Sequence, residues 1–328
     1  LSALPDPIVP LGQAEAEEVF AAILDGAHDD ASVTTFLTAM AERDETASEI
    51  AGAARAMRAR MIRVTAPDGA IDVCGTGGDG AHSLNVSTAV AMVVAGAGVP
   101  VAKHGNRAAS SKAGAADTLE ALGLDLDRAS ERAEASLNEI GICFLFAQKH
   151  HPALKPLAAI RKAIGRRTIF NLLGPICNPA GVERQLIGVA RPDYLPTYAG
   201  ALDRLKPASA MLVAGDEPLD ELSIAGESSL FRLGEAGFGP ERTSPEAAGL
   251  ARHGLDAIRG GDPAYNAAAL TRLLDGEAGG YRDAVLFNAA AALMVAGKAA
   301  DWAEGVALAA ESIDSGKAKA LLARWIAF

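Results

Sequence analysis

Residues 72–80 read Asp72-Val-Cys-Gly-Thr-Gly-Gly-Asp-Gly80, placing four glycines within six positions. Glycine permits positive φ and lets backbone N–H groups approach an anion with no Cβ in the way. A helix expected to begin at Asn85 or Ser87 adds free N–H groups and the positive end of its dipole. The hydroxyls of Ser83, Ser87 and Thr88 can donate to phosphate oxygens or ligate Mg2+. The chemistry indicated is phosphate binding. A plain tight turn before a helix cap is the competing reading, and this density of glycines with hydroxyls behind it weighs against it.

Gly75, Gly77 and Gly80 also match G-x-G-x-x-G. A dinucleotide site would need an acid about 20 residues further on to hold the ribose hydroxyls. The first acid after Gly80 is Asp117. No Lys-Ser/Thr follows the glycines, so the nucleotide P-loop pattern fails as well.

A second polar stretch, Lys103-His-Gly-Asn-Arg-Ala-Ala-Ser-Ser111, brings two cations, an imidazole, an amide and two hydroxyls around one glycine. Neighbouring parallel strands deliver such loops to one crevice. Two phosphate-friendly loops there suit a ligand with two separated phosphate groups. A third stretch, Gly215 to Ser223, holds the pairs Asp216-Glu217 and Asp220-Glu221. Carboxylates beside a phosphate site call for a bridging divalent ion, and Mg2+ takes one or two carboxylates plus substrate phosphates. Spacing does not choose between the pairs, and an exposed acidic turn is the simpler account of either one alone.

These loops need a scaffold. Residues 12–64 carry apolar side chains at helical spacing, among them Val19, Ile23, Leu24, Phe36, Leu37, Met40, Ile50, Met57 and Met61. Pro67-Asp-Gly69 is a turn and a boundary. Strands are then expected at Ala70–Cys74, Val99–Ala102, Ile142–Ala147, Leu186–Ala190 and Ala210–Ala214. Helices are expected from Asn85 to about Ala97, from Ser111 to Gly123, over much of 192–206, and over 264–326. Strand, loop and helix in alternation predict an α/β fold, a mostly parallel sheet flanked by helices.

The chain has 328 residues, half of them apolar and 5% aromatic. That suffices for a sizeable core and suggests about two domains. The net charge of −11 opposes a nucleic-acid partner, whose binding needs a cationic footprint. Cys74, Cys143 and Cys177 form no paired motif, so free thiols in a reducing cytoplasm are expected. The opening residues lack the pattern of a signal peptide. The longest apolar run, Ala89 to Ala102, is too short to cross a membrane.

The motifs together resemble the anthranilate phosphoribosyltransferases. The resemblance rests on Gly75-Thr-Gly-Gly-Asp79, Asn85-Val-Ser-Thr88, Lys103-His-Gly-Asn-Arg107 with Ser110-Ser111, and Gly114-Ala-Ala-Asp-Thr-Leu-Glu-Ala-Leu-Gly123. It continues through His151-Pro-Ala-Leu-Lys155, Phe170-Asn-Leu-Leu-Gly-Pro175, Asn178-Pro-Ala180 and Asp220-Glu-Leu-Ser223, covering nearly the whole chain. It implies that the amine of anthranilate displaces pyrophosphate from carbon 1 of phosphoribosyl pyrophosphate. It implies a small all-α domain, residues 1–69 joined by part of about 152–180, a large α/β domain, 70–328, and a homodimer through the helical domain.

Roles are implied residue by residue. Gly75, Gly78, Asp79, Ser83, Asn85, Val86, Ser87, Thr88, Lys103, His104, Gly105, Asn106, Arg107, Ala108, Ala109, Ser110, Ser111 and Ala115 correspond to the phosphoribosyl pyrophosphate site. Gly75, Asn106 and Arg161, with His104 at the border, correspond to the anthranilate site. Ser87, Asp220 and Glu221 correspond to ligands of Mg2+, two ions per site. Ala115 stands where the family often has Ser, and Cys177 where Thr is common. Two rivals remain from the residues: a pyrimidine nucleoside phosphorylase, which shares looser forms of the first two loops, and a non-catalytic relative that binds nucleic acid.

Overall fold

Short apolar runs separated by helices assemble into one seven-stranded sheet. The computed structural model describes residues 3–108, 112–217 and 219–328. The strands are β1 (Ile71–Gly75), β2 (Val101–Gly105), β3 (Ile142–Phe146), β4 (Arg184–Gly188), β5 (Ser209–Gly215), β6 (Ser228–Gly234) and β7 (Gly239–Thr243), in the order β3-β2-β1-β4-β5-β6-β7. The first five pair in parallel, and β6 and β7 add antiparallel at one edge. From β1 the chain winds outward through β2 and β3; from β4 it winds the other way. The order therefore reverses between β1 and β4, where an open α/β sheet leaves a crevice beyond its carboxyl ends.

Side chains alternate across the sheet. Leu186, Met211 and Val213 join the core formed with the helices Val86–Gly96 and Gly280–Val295. Ile187, Leu212 and Ala214 point to the other face, which they share with the N-terminal helices Gln13–Leu24, Asp30–Glu42 and Ala47–Arg58. Leu157, Ile160 and Ile169 to Cys177 contribute to that same second core. Thr46 and Glu49 close a capping box at the third helix, and the buried Glu49 carboxylate also takes Arg43 and the Leu11 amide. A buried carboxylate is tolerated there because every oxygen has a donor.

The expected strands are all present, with shifted ends. The largest correction concerns β2, which runs on to Gly105. Lys103 and His104 are thus buried strand residues, 2% and 4% exposed, rather than members of a polar loop. Their polar atoms find partners inside the protein, so no loop is needed to hydrate them. The β6–β7 hairpin was not expected, because its edge strand Gly-Pro-Glu-Arg-Thr is polar and lacks an apolar signature. Among the described residues no helix is long and apolar enough to cross a membrane.

Candidate active site

The crevice at the β1–β4 switch is built around close backbone approach. Gly75 and Gly188 end these two strands in register, and the acidic segment Leu219 to Leu222 crosses directly over them. A methyl group at Gly75 would land on the Asp220 carboxylate, and one at Gly188 would overlap the Asp220 carbonyl oxygen. Only glycine leaves room for that crossing. Asp220 Oδ2 accepts the Gly77 N–H at 2.6 Å, and the Asp220 amide donates to Asp79 Oδ2 at 3.4 Å. From behind, Asn288 clamps the segment, accepting the Leu222 N–H at 2.9 Å and donating to its carbonyl at 3.1 Å. Past β1, Gly77, Gly78 and Gly80 all have positive φ, a conformation that turns successive N–H groups toward one concavity.

The two acidic pairs part company. Asp216 makes a two-pronged ion pair with Arg242 on the exposed hairpin edge. Glu217 lies beside Gly226, with one buried oxygen that has no partner among the described residues. Asp220 and Glu221 instead share the wall of a cavity of about 20 Å3 with Ser87, room for one water-sized occupant. Burial pushes both carboxyls upward, the charge of Asp79 adds to it at both, and the charge of Asp220 adds to it at Glu221, where Lys103 opposes the rise. Glu221 Oε2 is buried without a partner among the described residues. Clustered, desolvated carboxylates with an orphaned oxygen fit a divalent cation. Among the described residues no three His, Cys, Asp or Glu side chains form a ready cage; Mg2+ is an ion that completes its shell with waters and substrate phosphates.

Lys103 reaches the cavity from β2, donating to the Val73 carbonyl at 2.7 Å and to Ser87 Oγ at 3.3 Å. Burial lowers its pKa and the Asp72 charge holds it up. Asp72, itself fully buried, accepts the His104 N–H at 3.1 Å and Asn178 Nδ2 at 2.8 Å, which locks β1, β2 and the Asn178 turn together.

Two glycosyl transferase family models match the chain: the helical bundle domain over residues 9–61 and the a/b domain over residues 67–319. The anthranilate phosphoribosyltransferase of Novosphingobium aromaticivorans is 63% identical over 327 residues, covering 100% of this chain and 99% of that protein. The chain belongs to the anthranilate phosphoribosyltransferase family. Among solved structures, the Thermus thermophilus anthranilate phosphoribosyltransferase is 44% identical with a TM-score of 0.92, covering 97% of this chain and 96% of that one. The Saccharomyces cerevisiae enzyme, in complex with PRPP and Mg, is 30% identical with a TM-score of 0.88, covering 97% and 93%.

Family membership makes the chain an enzyme; the geometry sorts the residues expected to serve it. Gly75, Gly78, Asp79, Ser87, Lys103, Asp220 and Glu221 converge at the crevice. Ser83 flanks it, bridged to Arg259. Asn85 begins the helix Val86–Gly96, but its side chain does not cap it. Its Oδ1 takes Thr118 and Asn266, and its Nδ2 donates to the Ala113 carbonyl, so it is a structural hub. Val86 and Thr88 are buried in that helix, and Thr88 Oγ1 has no partner among the described residues. Gly105 closes β2 against Phe144 and Ala115, and Asn106 is exposed beyond it. Arg107, expected as a phosphate-binding cation, is engaged by Asp117 at 2.9 Å and by Glu120. The Asp117 carboxylate also takes the Ala108 and Gly114 amides. An anion at this loop must therefore displace Asp117. Ala109, Ser110 and Ser111 lie outside the described residues.

Arg161 lies in the helix Ala158–Ile164, its guanidinium 6.0 Å from the Phe170 ring centre and its pKa lowered by burial. Cys177 is buried, 3.7 Å from the Ala54 carbonyl, so its departure from Thr affects packing. His104 Nδ1 donates to the Gly174 carbonyl at 2.8 Å, leaving its Nε2 to accept from His151 Nε2 at 3.1 Å. Carbonyls only accept, so Gly174 fixes the His104 tautomer.

Burial first, then the neighbouring imidazoles, lowers His104 to about 3 and His151 to about 4. Unfolded histidine titrates near 6.5, so below that pH the unfolded chain binds protons the folded one refuses. The stability tied to the pair is complete above about pH 6.5 and is lost as pH falls toward 4. The expected result is a His151→Leu variant whose unfolding free energy falls less steeply with acid between pH 6.5 and 4. The difference should approach about 1.4 kcal/mol per pH unit, read by denaturant titration; parallel slopes would refute it.

Proposed function

We propose that this enzyme transfers the phosphoribosyl group of phosphoribosyl pyrophosphate to the amine of anthranilate, in tryptophan biosynthesis, at the β1–β4 crevice. The observation that carries the site assignment is the convergence of Ser87, Asp220 and Glu221 on one small cavity, beside both the glycine loop and Lys103. Ser87, Asp220 and Glu221 are the residues that hold Mg2+, two ions per site in this reading; bound there, the metal supplies positive charge for the pyrophosphate oxygens. The N–H groups of the Gly75–Gly80 turn cradle phosphate. Lys103 adds a positive charge held in place by Asp72 and Val73.

Anthranilate's amine is a weak nucleophile because its lone pair is shared with the ring. It attacks once the C1–O bond is well broken: the C1–N bond forms and pyrophosphate leaves with the C1–O electron pair. The amine proton passes to water or to departing pyrophosphate. The protein's work is to align the reactants and stabilise the leaving charge, with no covalent nucleophile or essential general base.

The same reading includes the small all-α domain, residues 1–69 with part of about 152–180, set against the α/β domain, 70–328. It is supported by the core that Leu157 to Cys177 shares with the N-terminal helices. It also includes a homodimer through the helical segment, supported by the exposed Ile8 and Val9 beside it, and a cytoplasmic location, supported by three free thiols.

Loss of anthranilate fluorescence on adding phosphoribosyl pyrophosphate and Mg2+ tests the reaction; no loss sinks it. Arg161→Ala should raise the anthranilate KM about tenfold or more, as expected for a lost charged contact, with a much smaller change in the KM of the other substrate. An equal rise in both would assign Arg161 a structural role.

A further inference from the structure

A cavity of about 410 Å3 lies on the far side of the glycine loop from Lys103, between the helical segment and Thr76. Its charged lining is nearly all committed. Arg166 pairs with Glu42, and Arg191 with Asp44 and Asp193. Glu45 is buried, accepts the Tyr194 hydroxyl and has its pKa raised by burial. Arg167 is the exception: among the described residues its guanidinium has no ion pair and no hydrogen bond.

Arg167 also touches the loop. A methyl group on Gly78 would lie 3.4 Å from Arg167 Nη1 and 3.6 Å from Cζ, so the guanidinium packs against the turn formed by the positive-φ glycines. The next residue, Thr168, lines the same cavity, is 3% exposed and has a hydroxyl with no partner among the described residues. Both residues sit at the start of the helix Ile169–Ile176. That helix is anchored at its other end, where the Gly174, Pro175 and Ile176 carbonyls accept His104, Gln185 and Arg58. An unpaired guanidinium and an orphaned hydroxyl are thus held rigidly against a phosphate cradle, with open space beside them.

We infer that Arg167 is a further substrate-binding residue, one that holds the pyrophosphate moiety from the side opposite Lys103, with Thr168 donating a second hydrogen bond. This rests on the reaction proposed above. The carboxylate of anthranilate is the less suitable anion, because the guanidinium packs beside Gly78 of the glycine turn, while Arg161 lies one helix earlier over Phe170. As C1–O breaks, negative charge accumulates on pyrophosphate. A planar, weakly hydrated guanidinium placed there stabilises the transition state more than the bound substrate.

The test compares wild type, Arg167→Gln and Arg167→Lys by calorimetric titration with pyrophosphate in Mg2+ and by initial rates. In Arg167→Gln the pyrophosphate Kd and the phosphoribosyl pyrophosphate KM should each rise about tenfold or more and kcat should fall, with the anthranilate KM within about twofold of wild type. Arg167→Lys, which keeps the charge and loses the fork, should lie between. Should Arg167→Gln fail to fold, the lysine variant's pyrophosphate Kd decides alone. Wild-type pyrophosphate affinity in the variants, or a rise confined to the anthranilate KM, overturns the inference. Failure of the wild type itself to consume anthranilate would overturn the reaction instead, and pyrophosphate binding would still report on Arg167.

Discussion

Replacing Asp220 and Glu221 together with Ala should lower kcat about a hundredfold to a thousandfold, the scale of losing a group aimed at developing charge, and should abolish the dependence of rate on Mg2+. The carboxyls are half-buried, crowded by Asp79, and driven upward in pKa by desolvation and that crowding. The Gly77 N–H accepted by Asp220 Oδ2 favours the cluster, but crowding the carboxyls and leaving Glu221 Oε2 without a donor among the described residues cost stability. The variant should therefore lose little stability without Mg2+, and lose the stabilisation that added Mg2+ gives wild type. Thermal unfolding with and without Mg2+ measures that, and turnover across a Mg2+ titration measures the rest. Unchanged turnover with an unchanged titration would remove both residues from the metal site. The matched replacement of Asp216 should lose only an exposed ion pair with Arg242, worth little at a surface.

The contrast between the two acidic pairs shows what the sequence carried and what it did not. Asp216-Glu217 and Asp220-Glu221 are indistinguishable as letters. They separate once the chain folds, because β5 ends at Gly215 and the following turn carries one pair out to Arg242 and the other back across β1 and β4. The glycine loop was legible because its chemistry is local: four glycines after a strand have few other uses. The parallel strands were legible as short apolar runs between helices. Lys103 was legible as a cation near the phosphate site but misplaced in a loop, since propensity treats a lysine as a strand's end and has no way to register the Val73 carbonyl that receives it. Arg107 was legible as a cation of the phosphate-binding loop, but its partners Asp117 and Glu120, in the helix that follows, were not. The hairpin Ser228–Thr243 was missed for the converse reason: an edge strand with one solvated face need not look apolar. Arg167 was hidden among the cations of residues 161–167; its lack of a partner among the described residues and its packing against Gly78 distinguish it from Arg166, which pairs with Glu42.

Gly188→Ala is the most severe single change expected at a residue with no functional group. Gly188 pairs with Gly75 at the carboxyl ends of adjoining strands, and its absent side chain is what allows the Asp220 carbonyl to pass. Its backbone is that of an ordinary strand, so alanine is conformationally acceptable; the conflict is purely one of space. The obstacle is backbone rather than the flexible end of a side chain, so it cannot rotate away. Either β4 or the acidic segment must shift, and β4 is fixed by parallel pairing on both sides. The segment is the softer of the two, held over the crevice by the Gly77 amide, Asp79 and Asn288. A shift of about 1 Å there carries Asp220 and Glu221 off the Ser87 cavity, and a misplacement of that size costs about a hundredfold in rate. Overpacking should cost about 1–3 kcal/mol of stability as well. Gly12→Ala is the control, since nothing lies within 4 Å of the added methyl and its activity should match wild type. A Gly188→Ala enzyme with wild-type kcat/KM and wild-type Mg2+ response would mean that the segment does not need its present path over the strand ends. The placement of the metal carboxylates would then have to come from residues other than the two glycines beneath them.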